Sequence, residues 1–221
     1  MNIKFQTTKD GSHTLFVPEL NEHYHSLHGA VQEAVHVYIN AGLHCCAKDE
    51  IHVLEIGFGT GLNTFLTLLE TEKIDKKVVC TALELYPISL SDAQKLNYAS
   101  HICPEKSDVF MQLHTVEWGR RAKISPRFSL LKLNRDITSR DAFALSATFD
   151  VVYFDAFAPD KQPEMWSPAI FEAILSVCNP DAALTTYCAK GTVRRTLQNA
   201  GFRVEKLPGP PGKREMLRGI V

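Results

Sequence analysis

The sequence has no long hydrophobic segment. Among its 221 residues, no stretch approaches the roughly 18 apolar residues that a membrane-spanning helix needs. Residues 1–9 contain two lysines but no apolar core of a signal peptide. Internal repeats and low-complexity tracts are also missing, so neither a solenoid nor a disordered chain is indicated. We therefore expect a cytoplasmic, globular protein with one sizeable hydrophobic core.

Disulfide and metal-binding patterns are equally scarce. The six cysteines include no Cys-x-x-Cys pair and no zinc-type spacing, so reduced thiols are expected. Four histidines lie close together, namely His23, His25, His28 and His36, but no carboxylate or cysteine spacing completes a metal-ligand set around them. We predict no metal site, and we expect His25 and His36 to form structural hydrogen bonds or to cover a bound cofactor.

A large excess of charge is absent, because the net charge is −1. The charge is nevertheless uneven. Residues 186–221 carry eight basic and two acidic side chains, a net charge of +6, whereas the preceding 185 residues carry 16 basic and 23 acidic side chains, a net charge of −7. A basic C-terminal region is typical of a surface that contacts phosphates. Solvated charge scattered over a helix and a hairpin is the alternative, since no dense basic run is present.

The most informative motif is a glycine-rich turn. An apolar run ends near Glu55, and glycine then occupies every second position, at Gly57, Gly59 and Gly61, immediately before a helix-forming stretch that starts at Leu62. Glycine permits positive φ and a close approach of the backbone to a ligand, and a helix start offers unpaired N–H donors at the positive end of its dipole. The pattern predicts a strand, a tight turn and a helix that together hold a nucleotide-like ligand.

The spacing of these glycines narrows the choice of ligand. A dinucleotide fingerprint, Gly-x-Gly-x-x-Gly, requires its third glycine one residue beyond Gly61, which disfavours NAD and FAD. The order Glu-x-Gly-x-Gly-x-Gly resembles the first motif of the class I S-adenosylmethionine-dependent methyltransferases, and this resemblance implies S-adenosyl-L-methionine as the cofactor. A purely structural turn is the alternative, because glycine-rich turns are common.

Apolar strand-like runs alternate with helical stretches, which is the pattern of a parallel sheet flanked by helices. The five predicted parallel strands are residues 51–56, 77–83, 129–133, 149–155 and 182–188. A helix at 194–200 and an antiparallel hairpin with strands at 202–207 and 214–221 are predicted to follow. Upstream, residues 5–17 are expected to form a small hairpin and residues 29–43 an amphipathic helix.

Together these elements predict an α/β fold, the Rossmann-like fold of a class I S-adenosylmethionine-dependent methyltransferase. It would have a mostly parallel seven-stranded sheet with a C-terminal antiparallel hairpin, a feature that nucleotide-binding dehydrogenases lack. We assign residues 1–48 to a small N-terminal extension that packs on the core and residues 49–221 to the methyltransferase domain.

A carboxylate lies at or just after the end of each of the first four predicted strands: Glu55, Glu84, Asp136 and Asp155. Ligands of open α/β sheets sit beyond the carboxyl ends of the strands, so these side chains are expected to face the site. Glu84 would accept hydrogen bonds from both ribose hydroxyls, and Asp136 would accept one from the adenine amino group. A helix N-cap or a surface charge is the alternative for each residue taken alone.

The segment from Asp155 to Trp166 is the second informative motif. Asp155, Phe157 and Pro159 follow the fourth strand in an order that resembles the Asp/Asn-Pro-Pro-aromatic motif of amino-group methyltransferases. Methyl transfer needs a nucleophile with a free lone pair held in line behind the methyl group, whereas an alkyl amine is mostly protonated at neutral pH. We expect Asp155 to orient the amine and help to remove its proton, and Phe157 to stack on the attached base. Core packing is the alternative for Phe157 and Trp166.

Six motifs occur in order from about residue 5 to residue 219. They are Tyr24-His25-Ser26 with Gly29-Ala30 and Glu33, Glu55 to Asn63, Asp155 to Trp166, Thr186 to Gly191 with Val193-Arg194-Arg195, Ala200-Gly201-Phe202, and Gly212 to Leu217. Together they resemble the methyltransferase of bacterial tRNA wobble-uridine modification. That family completes 5-methylaminomethyl-2-thiouridine by methylating a 5-aminomethyl group. Two departures, Gln162 in place of the usual Asn and Asp181-Ala182 in place of a Gly-Gly turn, concern local geometry.

The residue patterns and the resemblance together give a set of candidate site residues. The catalytic candidates are Asp155 and Phe157. The cofactor-binding candidates are Tyr24, Glu55, Gly57, Phe58, Gly59, Gly61, Asn63, Glu84 and Asp136. The candidates for contacts to the tRNA anticodon stem-loop are Lys190, Arg194, Arg195, Lys213 and Arg214, since basic side chains, arginine forks above all, bind phosphate oxygens.

In many bacteria this methyltransferase is half of a bifunctional enzyme whose other half is an FAD-dependent oxidase. We expect the present chain to be the stand-alone form, with separate upstream enzymes, among them a separate oxidase, that supply the aminomethyluridine. Two other functions remain open. One is a small-amine N-methyltransferase or an aminopropyl transferase of the same fold, such as spermidine synthase, and the other is a cofactor-binding RNA scaffold without catalysis.

Overall fold

The protein is described by a computed structural model that covers residues 2–139 and 141–221. Met1, the first residue of the predicted extension, lies outside the described residues. The strands are β1 (Lys4–Thr7), β2 (His13–Val17), β3 (Glu22–His23), β4 (Glu50–Ile56), β5 (Lys77–Glu84), β6 (Ala122–Ser125), β7 (Phe128–Asn134), β8 (Phe149–Phe154), β9 (Cys178–Thr186), β10 (Arg203–Pro208) and β11 (Glu215–Ile220). The α-helices are α1 (Ala30–Ala34), α2 (Leu62–Ile74), α3 (Leu90–Ala93), α4 (Tyr98–Ile102), α5 (Ser107–Thr115), α6 (Pro168–Ser176) and α7 (Gly191–Ala200).

Eight strands form the central sheet, in the spatial order β10-β11-β9-β8-β4-β5-β7-β6. At its centre β4 pairs in parallel with β5 and β8, and parallel pairing continues outward to β7 and β9. β11 is antiparallel to both β9 and β10. The sheet therefore has the arrangement of a class I methyltransferase, and the five predicted parallel strands and the C-terminal hairpin are confirmed.

The sheet lies between two hydrophobic clusters. One cluster joins residues of α1, α2 and α5, including Phe65 and Phe110, to one face of the sheet, and the other joins α6 and α7, including Phe171 and Leu197, to the opposite face. All side chains of β8 are buried, as expected for a parallel strand that helices cover on both faces. Among the described residues, no helix combines the length and the apolar character that crossing a membrane would require.

Two strands differ from the sequence-based expectation. β6 adds an antiparallel edge strand beside β7, and its four residues are too few to give a periodic signal. β9 begins at Cys178 rather than at residue 182, and its register with β8 shifts between Phe149 and Val151. This irregularity lies close to Asp181, which has a φ of 62°. Such a bulge accommodates the preceding proline, which cannot donate to a regular ladder.

The N-terminal residues form a separate three-stranded sheet in the order β1-β2-β3. The predicted hairpin is present as the antiparallel pair β1 and β2. The predicted helix over residues 29–43 is broken into three parts: α1, a π-helical segment Val35–Asn40 and a 3₁₀ turn Leu43–Cys45. The π-helical segment is identified by its wide turn, in which the N–H of Ala41 donates to the carbonyl of His36.

Candidate active site

The glycine-rich turn connects β4 to α2 in the predicted way. Gly57, Gly59 and Gly61 have φ values of 89°, 50° and 74°, which favour glycine. A Cβ atom at Gly57 would lie 2.8 Å from the carbonyl oxygen of Asp155, and one at Gly61 would lie 2.9 Å from Nε2 of His114. The turn is thus closely packed against its neighbours, and its cleft side leaves the backbone open to a ligand.

A cleft of about 440 Å³ opens at the carboxyl ends of the central strands. The predicted residues that line it are Tyr24, Gly57, Phe58, Gly59, Glu84, Asp136, Asp155, Phe157 and Lys213. The predicted residues outside its lining are Glu55, Gly61, Asn63, Lys190, Arg194, Arg195 and Arg214. Three of the four carboxylates predicted at strand ends therefore line the same cleft, namely Glu84, Asp136 and Asp155. Glu55, which lies within β4, does not.

Glu84 is held by the main chain at the end of β5. Its Oε2 accepts a hydrogen bond of 2.9 Å from the N–H of Gly59, and its Oε1 accepts one of 2.8 Å from the N–H of Tyr86. A carboxylate has about four acceptor positions, so each oxygen keeps capacity for a ligand hydroxyl. Burial raises the pKa of Glu84, and these backbone donors oppose the rise. The result is a fixed carboxylate beside the glycine turn.

Asp136 follows β7 and also lines the cleft. Its Oδ1 accepts hydrogen bonds from the backbone N–H of Thr138 at 2.8 Å and from the Thr138 hydroxyl at 2.7 Å. These contacts are those of an Asx turn, the local role that competes with ligand binding. Oδ2 of Asp136 makes none of these bonds and retains its acceptor capacity.

Glu55 is fully buried rather than exposed to the cleft. Its Oε2 accepts a hydrogen bond from the hydroxyl of Thr64 in the first turns of α2, and its Oε1 has no hydrogen-bond partner among the described residues. Burial raises the pKa of this carboxyl to about 8. In this arrangement Glu55 ties β4 to α2 beneath the glycine turn.

Asp155 follows β8 directly and lines the cleft. Its Oδ2 accepts a hydrogen bond of 2.8 Å from the side-chain amide of Asn63, the second residue of α2. Burial raises the pKa of Asp155, while nearby His25, the neighbouring Tyr38 hydroxyl and the hydrogen bond from Asn63 act in the opposite direction. A carboxylate with a raised pKa is a suitable proton acceptor for an amine, because the two pKa values then lie closer together.

Aromatic rings surround the Asp155 end of the cleft. Phe157 packs edge-to-face on Tyr24 with 5.1 Å between the ring centroids, and Tyr187 lines the same cleft. The indole N–H of Trp166 donates to the backbone carbonyl of Phe157 at 2.8 Å. Trp166 itself is buried against Phe154, so for this residue the core-packing alternative is the observed one.

Glu33 and Lys213 form an ion pair at the edge of this cleft, with 2.6 Å between Nζ and Oε2. Nζ of Lys213 also lies 4.0 Å from the centre of the Tyr187 ring, a cation–π contact. The pair joins the N-terminal extension to the turn between β10 and β11. Neither Glu33 nor Tyr187 was among the predicted site residues. Tyr187 directly follows the carboxyl end of β9, however, which is where site residues of such a sheet are expected.

The other predicted basic residues lie outside the cleft. Lys190 is paired with Asp160, a residue of the loop that follows β8. Arg194 is partly buried, and Nε of its guanidinium has no hydrogen-bond partner among the described residues. Arg195 and Arg214 are exposed, and within the described ranges neither forms an ion pair. They are therefore available to a polyanion.

The four N-terminal histidines have separate partners. His25 is buried and its Nε2 lies 2.8 Å from the hydroxyl of Thr60, while His36 lies 2.8 Å from the carbonyl oxygen of Pro208. His23 contacts Gln6, and His28 contacts Lys9. Within residues 2–139 and 141–221, no group of three or more potential ligands forms a metal site. The residues present instead fit S-adenosyl-L-methionine, because the glycine turn has an open backbone and Glu84 and Asp136 provide acceptors.

Comparisons with known proteins agree with this site. Residues 113–221 match the sequence profile of a family described as S-adenosyl-L-methionine-dependent methyltransferase. The chain is 32% identical, over 218 residues, to the tRNA 5-methylaminomethyl-2-thiouridine biosynthesis bifunctional protein of Magnetococcus marinus, with 94% of this chain and 32% of that protein covered. It is 34% identical, over 209 residues, to the protein of the same name from Azoarcus sp., with 89% and 32% covered. The chain thus spans about a third of the length of these curated relatives.

Solved structures show the same fold. The crystal structure of MnmC2 from Aquifex aeolicus superposes with a TM-score of 0.82 at 24% sequence identity and covers 99% of this chain and 70% of that one. Spermidine synthase from Thermotoga maritima shares the fold more distantly, with a TM-score of 0.53 at 13% identity, covering 99% of this chain and 72% of that one. In its matched profile, its fold and its relatives, the chain is similar to the S-adenosyl-L-methionine-dependent methyltransferases, and S-adenosyl-L-methionine is its cofactor.

Proposed function

We propose that the enzyme methylates the amino nitrogen of 5-aminomethyl-2-thiouridine at the wobble position of tRNA, forming 5-methylaminomethyl-2-thiouridine. The observation that carries this proposal is the position of Asp155, a carboxylate with a raised pKa inside a cleft with aromatic walls. The names of the relatives from Magnetococcus marinus and Azoarcus, which concern biosynthesis of that nucleoside, support it.

Methyl transfer to an amine requires the protein to position the two reactants and to provide a proton acceptor. S-adenosyl-L-methionine would supply a methyl group on a sulfonium. The bound ammonium must first lose a proton to free its lone pair, and Asp155 is placed to accept that proton. In-line attack of the neutral amine would then form the C–N bond as the C–S bond breaks, leaving S-adenosylhomocysteine and a protonated methylamine. Phe157 and Tyr187 offer ring faces and edges to the base that carries the amine.

The charge of the cleft suits a cationic acceptor. Its lining includes the carboxylates of Glu22, Glu33, Glu84, Asp136 and Asp155, against the cations of Arg135 and Lys213. Arg135 donates to the carbonyls of residues 142 and 144 and so stabilises its own loop. Lys213 forms an ion pair with Glu33. An excess of carboxylates favours an ammonium group, which is the resting form of an alkyl amine.

Contacts to tRNA are proposed for the C-terminal basic residues. Arg195 and Arg214 are exposed, and Lys190, Arg194 and Lys213 lie on the same loops and helix. We propose that these five side chains contact phosphates of the anticodon stem-loop. We also propose that residues 1–48 act as an extension that completes the cleft through Tyr24, His25 and Glu33. The substrate implies a cytoplasmic enzyme that receives aminomethyluridine from separate upstream enzymes, including an oxidase.

The test is methyl transfer to tRNA from a strain that accumulates 5-aminomethyl-2-thiouridine. Purified enzyme and labelled cofactor should convert that nucleoside to the methylaminomethyl form, as measured by mass spectrometry of digested tRNA. Fully modified tRNA is the control and should take up no methyl group. Transfer to free polyamines but not to this tRNA would instead support the small-amine alternative.

A further inference from the structure

Asn63 contacts Asp155 rather than the open cleft. It is the second residue of α2 and is 2% exposed, and its Nδ2 donates to Oδ2 of Asp155 at 2.8 Å. An ionised carboxylate accepts hydrogen bonds and donates none, so the amide must present its NH₂ group to Asp155. The helix start that forms the glycine turn therefore also fixes one oxygen of the carboxylate.

Tyr38 approaches Asp155 from a different element. It lies in the π-helical segment Val35–Asn40, and it is 1% exposed. Its ring packs on Tyr153 with 5.2 Å between centroids. The Tyr38 hydroxyl has no hydrogen-bond partner among the described residues. Burial and then the neighbouring Asp155 carboxylate raise the pKa of Tyr38 well above its usual value.

The π-helical turn is a second observation that points to this tyrosine. Such turns cost stability relative to a regular helix, and they occur frequently at functional sites. A residue inserted into a helix changes the direction in which the following side chains point. Here the segment places the Tyr38 ring on Tyr153, two positions before Asp155 on the same chain. Core packing alone does not explain this hydroxyl, because burying an unpaired polar group costs free energy that a phenylalanine at this position would not cost.

We propose that Asn63 and Tyr38 are positioning residues that keep the Asp155 carboxylate ionised and direct it toward the acceptor nitrogen. This inference rests on the proposed function of the cleft. It replaces the sequence-based hypothesis of Asn63 as a cofactor ligand with a role through Asp155. The Asn63 amide favours the charged form of Asp155 through its hydrogen bond, and the neighbouring Tyr38 hydroxyl acts in the same direction, against the burial that favours the neutral form.

Other titratable groups also face this carboxylate. They are His25, Glu33, Glu55, Tyr98 and Tyr187, with Lys213 paired to Glu33. Burial lowers the pKa of His25, whereas the Asp155 carboxylate raises it. Asn63 and Tyr38 are the uncharged polar side chains beside Asp155.

The test compares Tyr38→Phe and Asn63→Ala with Tyr153→Phe. Tyr153 is a matched control, because it is a buried tyrosine in contact with Tyr38 whose hydroxyl lies 3.2 Å from that of Thr67. We expect the acidic limb of the pH profile of kcat/KM to move upward by roughly half a unit to one unit in Tyr38→Phe, and further in the double variant. The control profile should stay in place, and the Kd for S-adenosylhomocysteine should change by less than about twofold in all variants.

The pKa of Asp155 can also be measured without a substrate. Titration of ¹³C-labelled aspartate carboxyl groups by NMR should show the Asp155 resonance shifted to higher pKa in Tyr38→Phe and Asn63→Ala. Asn63→Gln, which retains the amide donor, should partly restore the wild-type value. If these resonances shift while wild-type enzyme leaves the aminomethyl tRNA unmethylated, the positioning role stands and the proposed substrate is wrong.

Two results would overturn the inference. If Asn63→Ala weakens S-adenosylhomocysteine binding in proportion to its loss of activity and leaves the pKa of Asp155 unchanged, Asn63 is a cofactor ligand. If Tyr38→Phe matches Tyr153→Phe in the pH profile and in the NMR titration, Tyr38 only packs the core. A variant that fails to fold is recognised by its NMR spectrum, and the other variant then decides the question.

Discussion

The cofactor end and the acceptor end of the cleft are built in different ways. At the cofactor end the main chain defines the shape, since N–H groups of Gly59 and Tyr86 fix Glu84. At the acceptor end, side chains from the π-helical segment, from α2 and from the turn between β10 and β11 converge around Asp155 and Glu33. From this difference we infer that cofactor binding depends on local backbone geometry, whereas the choice of acceptor depends on contacts between distant parts of the chain.

The largest expected effect is at the acceptor end. Asp155→Ala should lower kcat by about 10³-fold, because the variant lacks the group that accepts the amine proton. Binding of S-adenosylhomocysteine, measured by calorimetry, should remain within a few-fold of wild type. Asp160→Ala, which removes an exposed carboxylate of the same loop, is the matched control and should retain most of its turnover. Near-normal turnover of Asp155→Ala would remove this residue from its proposed role.

At the cofactor end we expect a change in KM for S-adenosyl-L-methionine rather than in kcat. In the wild type the Glu84 carboxylate accepts hydrogen bonds from two backbone N–H groups. In Glu84→Gln the amide NH₂ faces one of these donors, so the turn loses a hydrogen bond and a ligand acceptor. We expect KM for S-adenosyl-L-methionine to rise about tenfold with kcat little changed. Asp136→Asn should raise KM less, because Oδ1 of the residue still accepts from Thr138. A fall in kcat without a change in KM would show that the two ends are not separable in this way.

A smaller effect concerns tRNA binding outside the cleft. Arg195→Ala with Arg214→Ala should flatten the salt dependence of tRNA affinity by roughly 1.4 to 1.8 in the log–log slope, the value for two lost phosphate contacts. The control removes Arg120 and Arg121, which are exposed at the opposite edge of the sheet near β6 and change the net charge equally. Equal slopes for the two double variants would mean that charge, rather than position, determines tRNA affinity.

The two ends also differ in how much the sequence predicts. The glycine turn, its strand and its helix are contiguous, so periodicity and spacing were sufficient to predict them, and strand ends predicted that Glu84, Asp136 and Asp155 meet. No local pattern could indicate that Tyr38 lies near Asp155, because a π-helical turn has no clear sequence signal and the two residues are more than a hundred positions apart. The ion pair of Glu33 and Lys213 could not be predicted either, because the two residues are far apart in the sequence. For Glu55, the residue pattern of β4 does not show that its side chain faces α2.

The smallest expected effect is on stability, and it tests whether Glu55 belongs to the framework beneath the glycine turn. Its pKa is raised from 4.5 to about 8 by burial, so the folded state binds more protons than the unfolded state between these values. Stability should therefore fall as pH rises through this window. In Glu55→Gln the side chain cannot ionise, and its free energy of unfolding relative to wild type should increase by roughly 1 to 3 kcal/mol between pH 5 and pH 8, as measured by urea denaturation. Glu50→Gln, at the exposed start of the same strand, is the control and should follow the wild-type pH dependence. A parallel decline in wild type and Glu55→Gln would show that Glu55 is ionised in the folded protein at neutral pH, as a ligand of the cofactor end would be.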